Sequence, residues 1–114
     1  MSLKLGESQR QFTRMVGELI AWAYAHGYEL SFGEAWRTPE QSAYNVAHGL
    51  GIGNSLHRDR LAVDFNLFRD GVFLSSTSDH LPLGVFWEGL GGSWGGRFSK
   101  PDGNHYSLSW GGRT

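Results

Sequence analysis

Chemistry in this 114-residue chain begins where histidine stands beside carboxylate. In Ser55-Leu56-His57-Arg58-Asp59-Arg60-Leu61-Ala62-Val63-Asp64, the His precedes an apolar run and Asp64 lies inside it. Asp is a poor strand residue, and Val63 and Phe65 flank this one. A carboxylate in such surroundings needs hydrogen bonds, a cation or a metal. Asp102-Gly103-Asn104-His105 places a second His at the opening of another strand-like segment. Singly, these residues read as turn and cap residues. Together, His57, Asp64 and His105 make the three-ligand set of a catalytic zinc site, with a fourth position open. A structural zinc site takes four protein ligands, commonly Cys, and this chain has no Cys. Asp102, three residues before His105, can face that open position as a base. It would take the proton of an attacking water and hand it to the leaving amine. Pro101-Asp102-Gly103 is equally a strong turn signal.

Regular elements must bring these residues together. Apolar Phe12, Met15, Val16, Leu19, Ile20 and Ala23 recur at helical spacing, predicting a helix from an N-cap at Ser8 to about His26, with Gly27 after it. Tyr28–Phe32 alternates like a strand. Thr38-Pro39 reads as the start of a second helix, ending near the Gly49–Gly53 loop. Leu61–Phe68 is the best strand, and Asp70-Gly71 turns it back through Val72-Phe73-Leu74. A short helix is expected over Asp79–Leu90, with Pro82 in its first turn. Gly91–Gly96 reads as irregular, and His105–Trp110 as a last strand. The order predicts an α+β domain, a small antiparallel sheet with helices packed on it and the zinc site at the sheet.

Composition narrows the function classes. Aromatics make up 14% of the chain, enough for a core despite seventeen Gly. A formal charge of -1 offers no basic excess for a phosphate backbone, which argues against nucleic acid as a partner. No apolar run is long enough for a membrane span, and the N-terminus lacks the apolar centre of a secretory signal. The length suits one catalytic domain over 1–114 with no separate wall-binding domain, and a monomer is the expectation.

The residue set resembles a known family. Ser55-x-His57-x-x-x-x-Ala62-x-Asp64, followed by Asp102-x-x-His105, is similar to zinc D-alanyl-D-alanine carboxypeptidases, D-Ala-D-Ala dipeptidases and bacteriophage L-alanyl-D-glutamate endolysins. Trp36-Arg37-Thr38-Pro39-Glu40-Gln41 resembles the family's arginine-bearing loop and the helix after it. The segments Asn54–Phe68 and Trp94–Leu108 look closest to small phage lysis enzymes. Two departures stand out: Arg60 occupies a position where many members carry Gly, and Asp102 replaces the carboxypeptidases' Glu, as in the endolysin branch.

The resemblance implies a hedgehog/DD-peptidase-like fold, Zn2+ on His57, Asp64 and His105, and Asp102 as base and acid. It implies that Arg37 binds a substrate carboxylate or an oxyanion. An ion pair of Arg37 with Glu34 or Glu40 is the plain alternative. Ser55, Gln41 and Trp94 are candidate substrate-binding residues, with Gly95 and Gly96 letting a peptide backbone approach. Trp87 and Trp110 read as core, while His26, His48 and His80 read as surface or capping histidines. Should Asp102 prove only a turn residue, Glu34 is the next candidate base.

The expected function is hydrolysis of peptidoglycan stem peptides at the L-Ala–D-Glu bond, with a D,D-carboxypeptidase or dipeptidase as the alternative. A metal-stabilised, non-catalytic binding domain is the rival from another class, and Asp102 and Arg37 speak against it. Without an export signal, such an endolysin would wait in the host cytoplasm. It would reach the periplasmic cell wall after membrane permeabilisation.

Overall fold

A computed structural model describes residues 4–36, 40, 47 and 56–114. Apart from Glu40 and Ala47, the expected helix from Thr38-Pro39 and the Gly49–Gly53 loop lie outside the described residues. Helix α1 spans Leu5–Ala25. It starts one turn earlier than Ser8 because the Glu7 carboxylate accepts from the Lys4 N–H at 3.3 Å. Ser8 is buried inside the helix rather than capping it. At the other end, Gly27 takes φ +84°. The Tyr28 N–H donates to the Ala23 carbonyl and the Gly27 N–H to that of Tyr24, closing a Schellman motif at the glycine expected there.

The sheet is antiparallel. Strand β1 (Glu29–Phe32) pairs with β2 (Ala62–Arg69), which also pairs with β3 (Val72–Leu74) and β5 (His105–Ser107). Strand β4 (Ser93–Trp94) closes the far edge against β5. The β2–β3 turn has positive φ at both Asp70 and Gly71, as a type I′ hairpin requires. Helix α2 (Thr77–Gly89) begins two residues before the expected position. Ser76 caps it, its hydroxyl accepting from the Asp79 N–H at 3.0 Å, and Pro82 falls beyond the first turn. The glycine-rich Gly91–Gly96 stretch is more regular than its composition suggests. It contributes β4 and a 3-10 turn (Gly95–Arg97). The last strand stops at Ser107, three residues short of the expected Trp110.

From Val63 onward, β2 alternates as a half-buried strand should. Val63, Phe65 and Leu67 enter the core with Leu19, Ala23, Leu83, Trp87 and Tyr106. Phe12 meets Trp87 edge-on at 5.7 Å, and Trp87 meets Tyr106 in the same way. Each such apolar side chain contributes about 1.5–3 kcal/mol by burial. The other face of β2 carries Asp64, Asn66 and Phe68, all only partly buried. A strong core on one face thus holds Asp64 and Asn66 on the other. Among the described residues no helix is long and apolar enough to cross a membrane.

Candidate metal centre and active site

Register brings the separated motifs together. Asp64 of β2 stands opposite His105 of β5, so their side chains share the polar face of the sheet. His57 arrives on a one-turn 3-10 helix (Leu56–Asp59) leading into β2. That turn closes with the Leu61 N–H on the Leu56 carbonyl at 3.0 Å, and Arg60 takes φ +58°. This left-handed conformation favours glycine, which is the family pattern from which Arg60 departs. The Arg60 guanidinium lies 4.5 Å over the Trp36 ring.

His57 Nε2 and His105 Nδ1 each lie 3.4 Å from Asp64 Oδ1. The donor atoms of all three residues fall within 4.8 Å of one another. A tetrahedral ion at ~2.0–2.2 Å from its ligands sets neighbouring donors roughly 3.3–3.6 Å apart, which both distances to Asp64 match. A direct charge-assisted hydrogen bond would be nearer ~2.7–2.9 Å. Asp64 Oδ1 is buried and makes no hydrogen bond among the described residues, although burying such an oxygen is costly. The donor set therefore fits a zinc ion: two neutral nitrogens, one anionic oxygen and a common centre. Burial by itself would raise the Asp64 pKa, but the imidazoles of His105 and His57 outweigh it and lower it to about 2.

Asp102 sits at the solvent edge of this cluster. Its loop is anchored at both ends, with the Asp102 N–H on the Gly95 carbonyl at 2.9 Å and the His105 N–H on the Asp102 carbonyl at 3.1 Å. Gly95 is required there: a Cβ would come within 2.1 Å of the Asp102 carbonyl oxygen. Partial desolvation, and then the Asp64 charge, raise the Asp102 pKa, with His105 and His57 pulling the other way. A carboxyl so raised is suited to taking and returning a proton. Beside it opens a cavity of about 270 Å³, lined by Asn66, Phe73, Thr77, His80, Asp102 and Asn104 among others.

Several expectations need correction. Trp94 does not line a cleft; it is 3% exposed and its indole N–H donates to the Gly103 carbonyl at 2.7 Å. It therefore braces the Asp102 loop from beneath, and Gly96 leaves room for its ring rather than for a substrate backbone. His80 is neither surface nor cap: it is 2% exposed and shares a 2.7 Å hydrogen bond with the Tyr106 hydroxyl. Trp87 is core as expected, Trp110 is partly buried against it, and His26 does close α1. Arg37, Gln41, Ser55 and His48 lie outside the described residues.

One contact at the site was not foreseen from the sequence, that of Glu34 with His57. The Glu34 carboxylate stands 3.5 Å from His57 Nδ1, while the other ring nitrogen, Nε2, faces Asp64. The position of Glu34 three residues before Arg37 gave no local signal of that contact.

Comparison with known proteins agrees with this geometry. Residues 49–108, more than half of the chain, match the family model described as D-alanyl-D-alanine carboxypeptidase. The fold is similar to the L-Ala D-Glu endopeptidase ChiX of Serratia marcescens, with a TM-score of 0.71 and 20% identity, covering 96% of this chain and 89% of that one. It is also similar to a vancomycin resistance D,D-pentapeptidase, VanY from a VanB-type cassette in complex with Zn(II). There the TM-score is 0.59 and identity 19%, covering 85% of this chain and 70% of that one. A search of curated protein sequences gives no match. The expected fold class holds. With its histidine and aspartate motifs inside the matched segment and its donors converged on one centre, the chain belongs to the D-alanyl-D-alanine carboxypeptidase family of zinc-dependent peptidoglycan peptidases.

Proposed function

We propose that this single catalytic domain is an endopeptidase that cuts the L-Ala–D-Glu bond of peptidoglycan stem peptides. The observation that carries the reading is the convergence of His57 Nε2, Asp64 Oδ1 and His105 Nδ1, with Asp102 at the edge of the same centre. His57, Asp64 and His105 would hold the zinc ion. When bound, zinc supplies a fixed positive charge that acidifies water and polarises a carbonyl. Asp102 takes the proton of the attacking water and returns it to the leaving amine. Its carboxylate lies close enough to Asp64 and the histidines to feel their charges. Arg37 donates its guanidinium to the developing oxyanion or a substrate carboxylate, and Ser55 and Gln41 contact the peptide.

The choice of bond is supported by Asp102 in place of Glu and by the fuller overlap with ChiX, an L-Ala D-Glu endopeptidase, than with VanY. ChiX is bacterial, so a phage-lysis setting is a further part of the proposal. In it the enzyme waits in the host cytoplasm and meets the wall after the membrane is breached. A monomer suffices, because one chain provides every residue assigned.

Digestion of purified peptidoglycan, with products identified by mass spectrometry, tests the reading. New D-Glu amino termini are the expected result. Free D-Ala from pentapeptide stems, with the L-Ala–D-Glu bond intact, would establish the D,D-carboxypeptidase alternative instead. Asp102→Asn separates base from turn residue. It should retain zinc while kcat falls by roughly 10²–10⁴, and near wild-type hydrolysis at full zinc occupancy would remove Asp102 from the mechanism.

A further inference from the structure

Beyond β1, the chain continues alongside β2 for two more residues. The Gly33 N–H donates to the Asp64 carbonyl at 2.8 Å, and the Asp64 N–H donates to the Glu34 carbonyl at 2.7 Å. Gly33 permits that closeness, since a Cβ there would stand 3.1 Å from the Asp64 carbonyl oxygen. The backbone of Glu34 is therefore tied to the backbone of a metal-centre residue. Its carboxylate then reaches a different one, His57, whose side chain is almost fully buried.

A neutral imidazole carries one proton and one lone pair. His57 directs Nε2 at Asp64 Oδ1 and Nδ1 at Glu34 Oε1. A metal on Nε2 takes the lone pair there and leaves the proton on Nδ1, where the acceptor is Glu34. From this geometry we infer that Glu34 is a positioning residue: its carboxylate fixes the tautomer and ring orientation of His57 and raises its basicity toward the metal. The second histidine differs, because His105 Nε2 is buried with no hydrogen-bond partner among the described residues. The centre is thus asymmetric, with one ligand oriented by a charge and the other by packing, the His105 ring lying 5.4 Å from that of Phe98. Glu34 also ceases to be an alternative base, because His57 stands between it and the reacting side.

This inference rests on His57 being a zinc ligand, so its test reads the metal and the ring as well as turnover. Zinc affinity is measured by chelator competition for wild type, Glu34→Ala, Glu34→Asp and Glu34→Gln. The His57 Nδ1 proton is followed by ¹⁵N-edited NMR of the zinc form. Glu34→Ala should bind zinc roughly 10–100-fold more weakly and lose a strongly deshielded Nδ1 proton that wild type shows. Glu34→Asp should recover part of both. At saturating zinc, kcat should fall with KM little changed. Should Glu34→Ala not fold, Glu34→Gln keeps the size and both backbone hydrogen bonds, and the same two readouts decide. Wild-type zinc affinity together with an unmoved Nδ1 resonance in a folded Glu34 variant would overturn the inference, even with peptidase activity intact. A wild type that binds zinc but leaves peptidoglycan uncut would instead overturn the proposed function, and the role of Glu34 would stand.

Discussion

His105 and Tyr106 are neighbours on β5, yet they belong to opposite kinds of buried polar cluster. Tyr106 points into the core and shares a 2.7 Å hydrogen bond with His80. Burial pushes the Tyr106 hydroxyl pKa up and, as the main effect, pulls the His80 pKa down, so the pair is neutral and satisfied. His105 points to the other face and meets Asp64 at 3.4 Å, beside His57. There a charge is buried, the distances exceed those of good hydrogen bonds, and Asp64 Oδ1 and His105 Nε2 have no hydrogen-bond partner among the described residues. Both clusters hold buried histidine. What marks the second as a functional centre is a buried carboxylate among donors that suit a cation, which the first does not have.

The largest expected effect breaks the second cluster alone. Removing zinc with a chelator, or His57→Ala, should abolish peptidoglycan hydrolysis and lower the melting temperature. Added zinc should restore wild type but not the variant. Unchanged melting and activity after verified metal removal would make the two clusters equivalent and defeat the metal assignment.

An acid titration of the metal-free protein sharpens the contrast. Asp64 is lowered from 3.8 to about 2 in the folded state. Its stabilising contribution is therefore fully present above about pH 3.8 and is lost as pH falls through about 2. That contribution is on the order of 2 kcal/mol. Urea midpoints measured across this window should fall more steeply for wild type than for Asp64→Asn, while equal slopes would mean that the imidazoles do not compensate Asp64.

The smallest effect lies in the satisfied pair. Tyr106→Phe leaves His80 Nδ1 buried without its partner and should cost about 1–3 kcal/mol, read by chemical denaturation. Zinc stoichiometry should stay at the wild-type value. Loss of zinc in this variant would mean that the two faces of β5 are coupled and that the distinction drawn between them is too sharp.

Much of this was legible locally. Asp70-Gly71 specifies a type I′ turn because both residues tolerate positive φ, and Gly27 marks the end of α1 for the same reason. The apolar alternation of Val63, Phe65 and Leu67 declares one buried face, which puts Asp64 on the other. Residue chemistry alone nominated His57, Asp64, Asp102 and His105. What local pattern could not carry was anything decided by pairing across long sequence separations. The antiparallel register of β2 and β5 sets Asp64 opposite His105, and the ladder beyond β1 delivers Glu34 to His57. Packing of α2 against β5 sinks His80 beside Tyr106, although it reads in sequence as a surface or capping histidine, and the fit beneath the Asp102 loop turns Trp94 inward. A turn or a cap is a contest between nearby backbone conformations, so a few residues settle it. Burial and partnership depend on which distant surfaces meet, and only the folded chain brings them together.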